Sequence, residues 1–224
     1  MADTPPPVAD LEAEFPGLPL GEAVFRFLSG ALRSGRYRPG DRLREEEVAR
    51  LLKVSRTPVR EAFGRLLAKD LVVPAGARGL IVRSLDVGET LELYAMREIL
   101  EGAAARLAAQ HISAPEIGVL EEISRAFATA TGPPEQARLN REFHAAVTRA
   151  ARNRFLGEAL EQLQDAIAVL GATTFSLPGR GSTAAQEHAA VLAAIAARDA
   201  DRAEAEARRH ISEALRCRLT LMRR

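Results

Sequence analysis

The chain has 224 residues, of which 47% are hydrophobic and 27% charged, with a net charge of +1. That composition excludes a disordered chain, and aromatics at only 4% beside abundant Ala and Leu favour helix over sheet. No apolar run approaches the roughly 20 residues that cross a bilayer, and the single cysteine, Cys217, excludes an internal disulfide.

The first ten residues, "MADTPPPVAD", carry neither the basic nor the apolar segment of a secretion signal, so a cytoplasmic, reducing location is expected. The charge is unevenly placed. Residues 18–83 hold 14 Lys+Arg against 7 Asp+Glu, a balance of +7 that leaves the remainder at −6. A basic segment followed by an acidic one reads as two domains with different partners, the first a polyanion such as nucleic acid.

Residues 1–19 are Pro-rich and acidic and are expected to form a disordered arm. A first helix fits Gly21 to about Ser34, with Val24, Phe25, Leu28 and Leu32 on one stripe. "GRYRPGD" is a turn, because Pro39-Gly40 cannot continue a helix. A second helix covers about 44–52, with three glutamates where the helix dipole favours anions. Ser55 can cap a third helix that runs to about Lys69, and Pro58 sits in its first turn, where a missing N–H costs nothing. The period then changes. "LVVP" and "GLIV" flank "AGAR" and read as a hairpin. Residues 20–83 are therefore predicted as a winged helix-turn-helix. From residue 84 only helical patterns occur, at about 86–110, 115–130, 134–150, 153–175, 183–198 and 201–222. The fold class is mainly α, a winged helix followed by an all-α bundle over 84–224.

The third helix opens "VSRTPVREAFGRLLAKDLV". In a helix-turn-helix the second helix of the motif enters the major groove with its N-terminal residues first. Arg56 and Arg60 share a face at i,i+4, while Val59, Phe63, Leu66 and Leu67 form the buried one. Arginine can bond guanine O6 and N7, and Ser55 or Thr57 can donate to phosphate. Arg78, in the hairpin turn, would stand at the wing tip. The spacing alone also allows a solvated helix whose arginines pair with Glu61.

Three of the four histidines, His144, His188 and His210, fall in helices of the second domain, while His111 ends a helix. His188 precedes and His210 follows Asp199 by 11 residues, so an antiparallel helix pair turning near Asp199–Asp201 would bring both imidazoles to one level. Asn140 lies one turn before His144. An N₃O cluster inside a bundle suits a divalent transition metal, zinc or nickel first. On spacing alone, ordinary surface histidines stay an equal alternative.

"PGDRLREEEVARLLKVSRTPVREAFGRLLAKDLVVPAGARGLIV" resembles the DNA-binding domain of the GntR family of bacterial transcription regulators over about residues 20–83. The resemblance implies Arg56, Thr57 and Arg60 as principal DNA contacts and Ser55 and Arg78 as backbone contacts. Where the family usually has a glycine after the recognition helix, this chain has Asp70. "ETLELYAMREILEGAAARLAA", "LNREFHAAV" and "EHAAVLAAIAARDADRAEAEARRHI" resemble the FCD effector domain of the FadR-type subfamily. That likeness implies His144, His188 and His210 as metal ligands. The fourth position, an Asp in metal-binding members, is Asn140 here, a neutral and weaker donor. It also implies a small carboxylate or hydroxy-acid effector, with Arg97 as the candidate cavity arginine; an i,i+4 pair with Glu101 is the competing reading of Arg97. The expected function is a ligand-responsive regulator, most simply a repressor, acting as a homodimer on a palindromic double-stranded operator. No catalytic residue and no membrane partner are expected. A metal-dependent hydrolase or lyase, and a purely structural metal, are the competing classes.

Overall fold

The computed structural model describes residues 8–76 and 79–223. The chain forms two compact units: one runs through Leu85 and takes in Gln164–Gly171, and the other comprises Asp86–Leu163 and Ala172–Arg224.

In the first unit, α1 (Val8–Glu14) precedes α2 (Leu20–Arg33), β1 (Arg42–Arg44), α3 (Glu45–Leu52), α4 (Arg56–Ala68), β2 (Val72–Pro74) and β3 (Gly79–Val82). The strands make an antiparallel sheet ordered β1-β3-β2, with Leu43 opposite Leu80 and Val72 opposite Val82. These inward residues join Leu28, Leu32, Leu52, Val59 and Leu66 in one apolar core. The disordered arm expected over residues 1–19 is corrected at Val8–Glu14, which is helical. Leu11 is fully buried in that core and Phe15 packs against it, an i,i+4 apolar pair that the prolines and acids around it obscure. Strand β1 was not expected. Three residues are too few to show a period of two, and the glutamates after it signal helix; Arg44 is still extended at the N-cap of α3.

Two left-handed residues end helices here: Lys53 (φ 53°) closes α3 and Asp70 (φ 56°) follows α4. The position where the family carries glycine therefore does require positive φ, and an aspartate, which tolerates it better than a branched residue, occupies it. Asp165 belongs to this unit as well; its carboxylate accepts from Arg33 at 2.8 Å and Lys69 at 2.6 Å, while Val169 enters the core.

The second unit is helical: α5 (Val87–His111), α6 (Ala114–Thr129), α7 (Pro133–Ala150), most of α8 (Arg154–Ala168), a 3-10 turn (Thr174–Ser176), α9 (Arg180–Ala196) and α10 (Ala200–Met222). A capping box starts α5, with Asp86 and Glu89 exchanging backbone and side-chain bonds. Helix α8 stops at Ala168, short of the expected residue 175: Gly171 adopts φ +79° and the Thr173 hydroxyl accepts from Phe175 N, starting a separate turn. Alanines fill the seams where α5, α7, α9 and α10 pack closely, among them Ala104, Ala105, Ala108, Ala194, Ala203 and Ala207. The α9–α10 turn falls where the sequence places it, with Arg198 left-handed and Asp199 accepting from Arg202 N at 3.0 Å.

Candidate DNA interface and metal centre

Ser55 holds the N-cap position of α4 in an extended conformation without a side-chain capping bond, so its hydroxyl is not committed to the helix. Arg56, Thr57 and Arg60 follow, all exposed, while Val59, Ala62 and Leu66 on the opposite face are fully buried. Arg56 and Arg60 line an open concavity of about 740 Å³ together with Arg42, Arg44, Glu45 and Glu46. Glu45 accepts from Arg60 Nε at 3.1 Å, and Glu46 pairs with Arg56. The ion pairs expected of a solvated helix therefore exist, but with α3 and not with Glu61. Arg65, the third arginine of the stretch, pairs with Glu22 of α2 and lies over Phe25. Arg42 and Arg44 were missed because β1 was; their alternation around buried Leu43 is the signal that puts both on the exposed side. Arg78 lies outside the described residues.

In the second unit, α7, α9 and α10 bring His144, His188 and His210 together, with one ring nitrogen of each within 4.8 Å of the others. His144 Nε2 and His210 Nε2 stand 3.1 Å apart. His188 is fully buried, stacked on Phe143 at 4.3 Å between ring centroids and edge-on to Phe127 at 4.8 Å. Neither of its ring nitrogens has a hydrogen-bond partner. Asn140 lies one turn before His144, half-buried. Arg97 is only 5% exposed and donates through Nε and Nη2 to Glu101 Oε1 at 3.0 and 2.8 Å, with its guanidinium over the Tyr94 ring. His111 is exposed at the end of α5.

The sequence reading missed two buried carboxylates. Glu101 Oε2 lies 2.5 Å from His144 Nδ1, off the line of a good hydrogen bond, and Glu187 Oε2 lies 2.6 Å from His210 Nδ1. Glu187 also accepts from Arg180 Nη1 at 2.9 Å. Glu101 was visible only as the i,i+4 partner of Arg97. Glu187 and Arg180, seven apart, share a face of α9, but the contact with His210 spans two helices and leaves no local pattern.

Burial pushes the imidazoles of His188 and His210 well below their usual range, and the neighbouring histidines add to it. Both are therefore neutral at pH 7, the form that ligates a metal. Burial opposes ionisation of Glu101, but His144 and Arg97 hold its carboxyl well below the usual range. Burial pushes Glu187 up against the pull of Arg180.

The donor set fits a transition metal. Nitrogens about 2.1 Å from one ion stand roughly 3.0 Å apart at a right angle and about 3.4 Å apart at the tetrahedral angle. The His144–His210 pair, at 3.1 Å, lies between, while the cluster extends to 4.8 Å, more than the roughly 4.2 Å one ion spans, so a bound metal would draw the rings closer. The orphaned nitrogens of His188 need a partner of some kind. The cavity beside His144 and His210, walled by Phe143, Val147 and Val191, offers about 10 Å³, room for one water-sized guest.

The chain thus pairs a winged helix carrying exposed arginines with a separate helical unit that holds a buried polar cluster. Residues 20–82 match the bacterial regulatory proteins of the gntR family and residues 92–213 match the FCD domain. The chain belongs to the GntR family and is a transcription regulator with an FCD domain. It is 33% identical over 160 residues to an HTH-type transcriptional regulator of Bacillus subtilis, YdhC, covering 69% of this chain and 71% of that one. It is also 32% identical over 189 residues to a probable D-xylose utilization operon transcriptional repressor of Paenarthrobacter nicotinovorans, covering 83% of each. With the Nta operon transcriptional regulator of Aminobacter aminovorans it shares 33% identity over 133 residues, 58% of this chain and 63% of that one. The fold matches E. coli McbR/YncC with a TM-score of 0.84 at 24% identity, covering 92% of this chain and 99% of that structure. Among the described residues no helix is long and apolar enough to cross a membrane.

Proposed function

We propose that the chain is a cytoplasmic, homodimeric repressor whose affinity for a palindromic double-stranded operator is set by a small carboxylate or hydroxy acid bound at a divalent transition metal, zinc or nickel. Ser55, Arg56, Thr57 and Arg60 carry the DNA contacts, with Arg42 and Arg44 beside them and Arg78 assigned from the sequence. His144, His188 and His210 hold the metal, with Asn140 or the effector itself as an oxygen donor. The observation that carries the sensing half is the convergence of three histidines in the helical unit, with neither ring nitrogen of His188 hydrogen-bonded.

The charge of the site supports an acidic effector. Arg97 and Arg180 match Glu101 and Glu187, so the four cancel. A divalent ion among three neutral imidazoles adds two positive charges, which favours an anionic ligand in the next position. A cavity of about 10 Å³ admits no organic acid as it stands. Binding therefore requires the surrounding helices and the Phe143 wall to rearrange. That difference between liganded and unliganded packing is what lets an effector favour one arrangement over another.

The test uses a fluorescent duplex selected from random sequence by the wild-type protein. Operator affinity is measured with the zinc-loaded and the chelated protein across a panel of di- and hydroxycarboxylic acids. Loss of affinity caused by one acid, in the zinc-loaded form only, is the expected result. An affinity indifferent to metal and to every acid would leave the helical unit a dimerisation device.

A further inference from the structure

We infer that Glu187 is a positioning residue of the histidine cluster: its carboxylate fixes the His210 imidazole through Nδ1 and leaves the Nε2 lone pair facing the other histidines. The inference rests on the metal reading above.

The polar groups form one continuous row. Arg180 Nη1 donates to Glu187 Oε2, and the same oxygen receives His210 Nδ1 at 2.6 Å. His210 Nε2 faces His144 Nε2 at 3.1 Å. His144 Nδ1 meets Glu101 Oε2, and Glu101 Oε1 takes both donors of Arg97. The Glu187 carboxylate, already paired with Arg180, accepts, so the proton in the Glu187–His210 hydrogen bond belongs to Nδ1. A neutral ring with its proton on Nδ1 has a bare Nε2. His210 Nε2 is thereby left as an acceptor, 3.1 Å from His144 Nε2. That lone pair is available to a metal ion at the Nε2 face. Outer carboxylates of this kind orient the ring, select its tautomer and raise its basicity as a ligand.

His188 shows the contrast. Its nitrogens have no protein partner, and its orientation comes from the rings of Phe143 and Phe127. His210 is thus set by a carboxylate and His188 by aromatic packing. Glu187 immediately precedes His188 on α9, so one helix delivers both a ligand and the residue that orients the ligand opposite.

The experiment measures Zn²⁺ affinity of the full-length protein by competition with a chromophoric chelator, alongside ring N–H spectra of zinc-loaded, ¹⁵N-histidine-labelled protein. Glu187→Gln is expected to weaken zinc binding 10–100-fold and to move the His210 Nδ1–H resonance while leaving that of His144 in place. Glu101→Gln, at a carboxylate that makes no hydrogen bond with His210, is expected to leave the His210 resonance in place. Because Glu187→Gln leaves Arg180 buried without its carboxylate, the double variant Arg180→Met/Glu187→Leu removes both charges. It is expected to remain folded and still bind zinc 10–100-fold more weakly. Zinc affinity within twofold of wild type in Glu187→Gln and in the double variant, with an unmoved His210 resonance, would overturn the positioning role alone. Failure of wild type itself to bind zinc would overturn the metal reading and this inference with it.

Discussion

Removing the carboxylate of Glu101 tests how the core of the helical unit is built. Arg97 and Glu101 are each 5% exposed, and the guanidinium gives two hydrogen bonds to one carboxylate oxygen. In Glu101→Leu that cation keeps the face of Tyr94 but no anion, at a depth where water cannot replace one. Breaking a buried pair from one side costs about 3–5 kcal/mol, a large part of the 5–15 kcal/mol that holds a domain together. Removing both charges costs far less, because each partner's loss relieves the other. The double variant Arg97→Met/Glu101→Leu is therefore expected to recover at least about 2 kcal/mol relative to the sum of the single variants. Urea unfolding of chelated protein, followed by far-ultraviolet circular dichroism, measures all three. Single losses under about 1 kcal/mol that simply add would refute the reasoning. They would also favour Arg97 as an arginine held for an effector and not for Glu101.

Other consequences are equally direct. Arg56→Ala and Arg60→Ala should each weaken binding to the selected duplex by about 1–3 kcal/mol, roughly 5- to 150-fold, in fluorescence anisotropy. Glu46→Gln should instead tighten it about 1.4- to fivefold, since an exposed ion pair worth about 0.2–1 kcal/mol no longer competes for Arg56. Asp70→Gly should change stability by less than about 0.5 kcal/mol, because relief at φ 56° offsets the loss of the exposed Arg83 pair, whereas Asp70→Val should cost about 1–2 kcal/mol. Leu11→Ala should cost about 2–5 kcal/mol in the winged-helix unit, a loss that a solvated arm would not show.

The long helices and the hairpin could be read from the sequence because each is bounded by local chemistry: Pro58 and Ser55 at the start of α4, Asp199 between α9 and α10, glycine in the wing turn. The equal spacing of His188 and His210 about Asp199 carried the cluster geometry, since an antiparallel helix pair converts equal spacing into equal height. What stayed hidden was non-local or too short. Helix α1 offers only Leu11, paired with Phe15 just past its end, and β1 only Leu43. The Glu187–His210 and Glu101–His144 contacts join residues 23 and 43 positions apart, and nothing at either end marks them. Arg97 had two readings, an effector contact implied by the resemblance and a pair with Glu101 from its i,i+4 spacing, and the fold supplies the pair. Asp70 is the instructive departure. The sequence shows an aspartate at the family's glycine position, and only the backbone angle shows that the left-handed turn is retained without the glycine.

Native mass spectrometry of untagged protein purified without chelator, compared with the same sample denatured, addresses the histidine cluster most directly. The expected result is a dimer carrying one transition-metal ion per chain, lost on denaturation and absent from His188→Ala. A dimer that stays metal-free after incubation with zinc and with nickel, or a metal retained undiminished when His144, His188 and His210 are all replaced by alanine, would contradict it.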